Sequence, residues 1–422
     1  MLTTTRQRYH FPNLSQAVQL CFVISALEFA VRWLVGRPLR LNEAFCSISC
    51  GILFEAFRVV ISGTVIIEYE WLYQYRLLDW PWDALYTWLT AFLLVDFSYY
   101  WIHRAYHEVN ILWALHQVHH GSEDYIFTTD FRVSIFQRAV TLNLYTPLAL
   151  VGIPFPALLV HLSLNNIYQF WLHNTFVGKL RPLEWVIATP SFHRVHHGAN
   201  NWCLDKNHSS VLVLWDHLFG TYEPEREDTE IVYGLTQQPQ THNALYHQFF
   251  YFGEVFRKAR SMSTWTDSLK AVFYGPGWTP GSPRLGDPAK FPDVTAPRTK
   301  YDPQIPRWQL LYVGSHLVVT ALLQQHLLTL FSTASWVTVM VFLVFITCSV
   351  GLVTAMMDGW WWAGPAEAVR CIVFLLYARS LFVTHVPALD AALTLFFSLC
   401  AFFWTSHSLA HGYAAAKTQK IQ

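Results

Sequence analysis

The sequence predicts an all-α fold, organised as a polytopic bundle of membrane helices, and two observations carry this prediction. Only 13% of the 422 residues are charged and 53% are hydrophobic, whereas a soluble domain carries about 25% charge. The runs 310–331 and 333–357 contain no Asp, Glu, Lys or Arg. Each run is long enough to cross a hydrocarbon core of about 30 Å, so we expect lipid around much of the chain.

Weaker candidate spans flank these two runs: 16–36, 45–68, 84–102, 139–172, 365–386 and 386–406. Proline removes a backbone donor, so Pro147, Pro154 and Pro156 predict that segment 139–172 is a re-entrant hairpin or two short helices. Residues 16–36 are expected to be a retained span or a membrane-lying helix, because polar residues precede them and no small-residue cleavage site follows.

Charge and cysteine content narrow the possible partners and compartment. Lys+Arg and Asp+Glu both total 28, and this neutral balance gives no reason to expect a nucleic acid partner. The seven cysteines are scattered and form no CxxC pair. We therefore expect a reduced, cytosol-facing site rather than a disulfide framework.

Three histidine clusters carry the chemical signal. The eight residues are His103 and His107 in HRAYH, His116, His119 and His120 in HQVHH, and His193, His196 and His197 in HRVHH. Residues three or four apart lie on one helix face, with Cβ atoms about 5–6 Å apart. The histidines of each cluster can therefore coordinate a metal ion from successive turns. Imidazole suits iron, zinc, copper and nickel. Eight imidazoles can hold two divalent ions and leave positions open for water, dioxygen or substrate.

Other metal sites fit the sequence less well, and other protein classes stay open. The sequence has no Glu-x-x-His pair and no H-E-x-x-H motif, which disfavours carboxylate di-iron bundles and metalloproteases. A single histidine pair is usually a packing feature, but three clusters without a common partner would be costly to bury near a membrane. A structural zinc ion, a metal transporter and a bis-histidine haem protein remain as alternatives.

Three further residues are candidates for the site. His173 ends an apolar span just before the third cluster and is a candidate ninth ligand. Metal-bound histidines usually donate their second N–H to a carboxylate or carbonyl. Glu108 and, after it, Asp124 are therefore the candidate catalytic residues that would orient a ligand, and Asp96 is a weaker third. Other histidines of the polar region, among them His208, receive no role.

The order HxxxH, HxxHH, HxxHH among membrane spans resembles the fatty acid hydroxylase superfamily, which includes sterol desaturases and hydroxylases. Within it, the stretches 81–125, 189–225 and 275–286 look like the alkylglycerol monooxygenases. This resemblance implies two iron ions held by the eight clustered histidines. Glu108 matches an acidic residue that follows the first cluster in that family, and His173 matches a further histidine. Gln169 stands where some related hydroxylases have a histidine, which leaves the ligand count of the second metal open.

The same resemblance implies a function. The protein would be a di-iron monooxygenase that uses dioxygen and tetrahydrobiopterin to hydroxylate the ether-linked carbon of an alkylglycerol. The resulting hemiacetal would break down to a fatty aldehyde and a glycerol derivative. The enzyme would lie in the endoplasmic reticulum membrane with its histidine-lined di-metal site at the cytosolic face. A sterol or fatty acyl hydroxylase or desaturase with the same metal centre is the alternative, and no protein partner is predicted.

Polarity and this resemblance together divide the chain into five predicted segments. They are N-terminal membrane segments (1–80), a fatty acid hydroxylase-like di-iron domain (81–235), a polar linker region (236–307), C-terminal membrane helices (308–411) and a polar tail (412–422).

Overall fold

The computed structural model describes residues 14–37, 39–376, 384 and 386–419. The first thirteen residues and the last three of the predicted tail lie outside this range. Within the described residues all regular secondary structure is helical, and β-structure is limited to three isolated bridges. The all-α prediction is confirmed, whereas the five predicted segments stay a prediction.

Fifteen α-helices are described. In chain order they are α1 (Leu14–Leu34), α2 (Leu41–Tyr73), α3 (Leu85–Glu108), α4 (Asn110–His120), α5 (Gln137–Tyr145), α6 (Pro147–Val151), α7 (Phe155–Leu172), α8 (Pro190–His196), α9 (Leu214–Phe219), α10 (Ala244–Arg260), α11 (Trp265–Phe273), α12 (Arg307–Leu330), α13 (Trp336–Met357), α14 (Ala363–Leu376) and α15 (Pro387–Gln419). Short 3₁₀ turns lie at Phe127–Phe131, Leu183–Trp185, Asn201–Cys203 and Pro288–Lys290.

The chain forms two compact units. The first comprises 1–47, 60–239 and 247–300, and the second comprises 48–59, 240–246 and 301–422. In the first unit, α3 packs against α4 and α7. Its largest core cluster contains residues from these and neighbouring helices: Tyr69, Ala91, Val95, Ile102, Tyr106, Leu115, Tyr145, Leu148, Ala149, Ile153, Ala157 and Leu158.

Proline positions set the helix breaks in segment 139–172, as predicted. Helix α6 begins at Pro147, and α7 begins after Pro154 with Pro156 in its first turn. Between them, Gly152 adopts φ +95°, and its missing Cβ is what allows the chain to pass the Leu78 carbonyl. The segment therefore contains three helices, one more than the predicted pair of short helices.

Gly152→Ala is expected to destabilise the first unit by at least about 2 kcal/mol, because a left-handed backbone alone costs an alanine about 1–2 kcal/mol. A Cβ at this position would also lie 1.9 Å from the Leu78 carbonyl oxygen, so the backbone must shift. The thermal midpoint of the purified protein would measure the loss. Gly178→Ala is the matched control, since a Cβ there meets nothing within 4 Å; equal midpoints for both variants would contradict the steric account.

The second unit contains the helices best suited to cross a membrane. Two described helices are long and apolar enough to do so, Trp336–Met357 with mean hydropathy 2.5 and Pro387–Ala410 with mean hydropathy 1.6. The 310–331 run forms most of α12 but does not reach this standard. The polytopic arrangement of the helices stays a prediction.

Candidate metal centre

The first two histidine clusters face each other because the chain reverses between α3 and α4. Val109 is extended (φ −124°, ψ 115°) and separates the two helices. The first cluster therefore ends α3 and the second fills the last two turns of α4. This turn brings the Nε2 atoms of His103 and His116 to 3.0 Å from each other.

The third cluster is carried by the short helix α8. Pro190 occupies its first turn, and the Thr189 hydroxyl accepts a hydrogen bond from the Phe192 amide, so the helix start is well defined. His193 and His196 lie in the helix and His197 follows it directly.

The nine predicted ligands converge into two buried groups. The five-histidine group contains His103, His107, His116, His120 and His196, and the four-histidine group contains His119, His173, His193 and His197. Within each group the candidate ligand atoms all lie within 4.8 Å of one another. The structure thus brings together every predicted metal residue, and their role as ligands stays a prediction.

The two HxxHH clusters are each divided between the groups, which the spacing alone did not indicate. Along a helix, residues four apart differ in direction by about 40° and adjacent residues by about 100°. His116 and His120 therefore point into the five-histidine group, and His119 points into the other. In the third cluster, His193 and His197 belong to the four-histidine group, and only His196 belongs to the five-histidine group.

The donor atoms fit two transition-metal ions. In the four-histidine group, Nε2 of His173 lies 3.1–3.3 Å from the Nε2 atoms of its three neighbours. Metal–nitrogen bonds of about 2.1 Å place neighbouring ligand atoms roughly 3.0 Å apart in an octahedral ion and roughly 3.4 Å apart in a tetrahedral one. In the five-histidine group, the Nε2 atoms of His107, His120 and His196 are buried without a hydrogen-bond partner in the described chain. A shared cation would satisfy these atoms.

Burial keeps the rings in the form that binds metals. It lowers the pKa of His103 to about 3, assisted by the neighbouring His107, and the pKa of His173 to about 4. Burial likewise holds the pKa of His116 and His197 well below the usual value for histidine. Neutral imidazole is the ligating form, so these rings are ready to bind an ion near neutral pH.

Backbone carbonyls, rather than the predicted carboxylates, orient several rings. Three Nδ1–H groups donate to a carbonyl: His103 to His208 at 2.8 Å, His196 to Lys206 at 2.9 Å and His173 to Gln169 at 2.9 Å. When Nδ1 carries the proton, Nε2 presents its lone pair. The side chain of Gln169 itself donates to the Ser210 hydroxyl at 2.8 Å, so that amide is engaged outside the four-histidine group.

Two buried aspartates hold the loop that supplies two of these carbonyls, those of Lys206 and His208. Asp216 accepts from the His208 and Ser209 amides, both at 2.8 Å. Asp96 accepts from the Val211 amide at 3.0 Å and from neighbouring donors. Asp96 therefore supports the site through this loop.

Asp216→Ala is expected to weaken metal binding about tenfold, because loss of an outer partner typically costs 10–100-fold in metal affinity. The variant frees the His208 segment whose carbonyl fixes His103. Titration of the metal-free protein with ferrous ion would measure the change. Asp228→Ala, which removes an exposed aspartate, serves as the control. An unchanged affinity in Asp216→Ala would show that the loop does not position His103.

The candidate catalytic carboxylates Glu108 and Asp124 lie outside both groups. Glu108 forms ion pairs with Arg104 at 2.6 Å and with Arg284 at 3.0 Å. Asp124 forms ion pairs with Arg40 at 3.0 Å and with Lys300 at 2.7 Å. Among the described residues, no clustered histidine donates a hydrogen bond to either carboxylate. Their proposed role in orienting a ligand stays a prediction.

Three residues near the groups were missed by sequence reasoning. Asp130 lies 3.4 Å from Nδ1 of His173, and its burial raises its pKa to about 7. Asp205 lies 3.6 Å from Nδ1 of His107. The His208 ring is fully buried, with its centroid 4.9 Å from that of His107. In the sequence, the turn-forming residues Asp205, Lys206 and Asn207 could have indicated that the chain folds back on the site after the third cluster.

Comparisons with known proteins agree with this geometry. The family model for fatty acid hydroxylase matches residues 88–221, which include all nine histidines of the two groups. The alkylglycerol monooxygenase of Xenopus tropicalis is 35% identical over 404 residues, covering 95% of this chain and 90% of that protein. The Homo sapiens alkylglycerol monooxygenase is 37% identical over 91% of this chain and 86% of its own length.

A more distant relative matches a smaller share of the chain. The ornithine lipid hydroxylase OlsE of Rhizobium tropici is 27% identical over 37% of this chain and 48% of its own length. No solved structure matches the chain.

Proposed function

Because the chain belongs to the alkylglycerol monooxygenase family, we propose that it cleaves the ether bond of alkylglycerols. One oxygen atom of dioxygen enters the C–H bond beside the ether oxygen, and the other leaves as water with two electrons and two protons from tetrahydrobiopterin. The hemiacetal product then breaks down to a fatty aldehyde and a glycerol derivative. The observation that carries the proposal is the convergence of nine histidines into two groups within the matched region.

The chain's own residues prepare this site for the reaction. Two iron ions, when bound, would supply the activation of dioxygen. The five- and four-histidine groups would hold them, and the carbonyls facing His103, His173 and His196 would keep each Nε2 lone pair directed inward. All nine rings are buried, so the protein excludes bulk water from the reacting atoms.

The proposed location is the endoplasmic reticulum membrane, with the metal centre facing the cytosol. Two helices long and apolar enough to cross a bilayer support a membrane location. The seven cysteines are scattered along the chain and form no CxxC pair, which suits a reducing compartment. A cytosolic face would give tetrahydrobiopterin, a diffusible reductant, direct access.

The test is an assay of membranes from cells that produce the chain, given alkylglycerol labelled in its alkyl group. We expect labelled fatty aldehyde only when both tetrahydrobiopterin and dioxygen are present. Labelled sterol and fatty acyl substrates are assayed in parallel. Hydroxylation of one of these without any aldehyde from the ether would favour the alternative hydroxylase, whereas metal flux without product, or a Soret band, would favour a transporter or a haem protein.

A further inference from the structure

Helix α10 exposes aromatic side chains on its outer side. Within the first unit, Phe249 and Phe256 are 50% and 66% exposed, whereas Val255 is buried on the inner side. A surface helix of a soluble protein usually keeps large apolar side chains on the core side. This arrangement is typical of a helix whose outer face contacts lipid.

Helix α11 repeats the pattern. Trp265, Leu269 and Phe273 are 77%, 42% and 55% exposed, and their spacing of four places them on one face. The opposite side packs inward through the buried Ala271. The Ser268 hydroxyl donates to the Ala259 carbonyl of α10 at 2.9 Å. Residues 247–273 therefore form two helices joined by a short turn and in contact with each other, and we call them the aromatic hairpin.

The aromatic hairpin is too short to cross a membrane and carries positive charge. At 1.5 Å per residue, the 17 residues of α10 and the 9 residues of α11 extend only about 26 and 14 Å, against a hydrocarbon core of about 30 Å. It contains four cations (Arg257, Lys258, Arg260 and Lys270) and two anions (Glu254 and Asp267), which leaves a net charge of +2. Glu254 pairs with Arg257 and Asp267 with Lys270, so the exposed Arg260 is the cation best placed to meet a ligand. Exposed aromatic residues beside a net positive charge suit the surface of a bilayer with anionic lipid.

Hydrogen bonds connect the aromatic hairpin to the metal centre. Asn110, the buried first residue of α4, donates its side-chain amide to the Ala271 carbonyl and its backbone amide to the Tyr274 carbonyl, both at 2.8 Å. Further along α4, Gln117 donates to the His247 carbonyl at 2.9 Å. The helix that bears the second histidine cluster is thus held by both helices of the hairpin.

We propose that the aromatic hairpin docks in the plane of a bilayer that contains anionic phospholipid. The rings of α10 and the apolar face of α11 enter the boundary between headgroups and acyl chains, and the exposed Arg257 and Arg260 meet the lipid phosphates. Docking in this way fixes the level of α4 relative to the bilayer. The proposed docking is inferred from these contacts alone. The idea that docking helps alkylglycerol to enter the site from the bilayer rests on the proposed function.

The full chain is reconstituted into nanodiscs of phosphatidylcholine and phosphatidylglycerol that contain a phospholipid with a photoreactive acyl chain. After irradiation, peptide mass spectrometry locates the lipid adducts. We expect adducts at Phe256, Trp265, Leu269 and Phe273, with α13 as the positive control and the polar segment 223–230 as the negative control. Adducts on α13 without any on the hairpin, or crosslinks from the hairpin to a second copy of the chain, would overturn the proposal. This readout does not depend on catalysis.

A substitution links docking to substrate delivery. Leu269→Glu places an anion against anionic lipid, where each charge is worth about 1 kcal/mol, so the KM for alkylglycerol in these vesicles should rise about fivefold while kcat stays within about twofold. Gln237→Glu adds the same charge at an exposed position outside the hairpin and should change neither value. If Leu269→Glu loses the hairpin adducts but keeps its KM, the hairpin docks on lipid without delivering substrate. If the variant keeps the adducts, the proposed docking surface is wrong.

Discussion

His116→Ala is expected to lower aldehyde formation by more than about a hundredfold, because even outer partners of metal ligands are worth 10–100-fold. Nε2 of His116 lies 3.0 Å from Nε2 of His103, inside the five-histidine group. Its removal leaves that group without one of its donors, while the four-histidine group is intact. We therefore expect iron content to fall to about one ion per chain, measured by elemental mass spectrometry on the purified protein.

A histidine outside both groups provides the control. The His161 ring packs beside Trp88 and Phe92, with centroids 5.9 Å away in each case. His161→Ala should therefore keep its iron and lose little activity. Full iron content and full aldehyde formation in His116→Ala would show that the five-histidine group is not a ligand set.

Arg132→Met is expected to destabilise the first unit by about 3 kcal/mol or more, since breaking a buried ion pair typically costs 3–5 kcal/mol. The Arg132 and Glu43 side chains are 1% and 3% exposed, and their charged atoms lie 2.5 Å apart. Arg132 also donates to the Val118 carbonyl within the second histidine cluster at 3.0 Å. The variant leaves Glu43 without its nearest cation and removes a support of α4.

The thermal midpoint of the purified protein, with and without added ferrous ion, measures this effect. The double variant Glu43→Gln/Arg132→Met removes both charges and should recover more than half of the lost stability. If the double variant is as unstable as Arg132→Met, the remaining charge of Glu43 is not the cause of the loss, and the lost contact with α4 is.

Features set by local spacing could be predicted from the sequence. The prolines at 147 and 154 break the helix whatever surrounds them, and they divide segment 139–172 in the structure. Membrane crossing was harder to predict. The 310–331 run is free of charge, yet α12 buries His316 and Gln324, and His316 accepts from the Arg370 guanidinium at 2.7 Å. A charge-free run therefore does not identify a lipid-facing helix.

In the metal centre, too, local spacing could be predicted from the sequence and the packing of distant segments could not. The eight clustered histidines and His173 follow from periodicity and resemblance, but their division into two groups depends on which helix lies opposite. Glu108 follows His107 directly, and adjacent residues on a helix point about 100° apart. Glu108 therefore faces Arg104, four residues earlier. Asp130 and His208 come from other segments, and only the folded chain brings them to the site.

The central claim is that each histidine group holds one iron ion, and anomalous X-ray diffraction at the iron edge tests it most directly. We predict two separate peaks in crystals of the active protein, one among His103, His107, His116, His120 and His196 and the other among His119, His173, His193 and His197. Peaks at the zinc edge alone, or no peak in either group for protein that still forms aldehyde at its full rate, would contradict the claim.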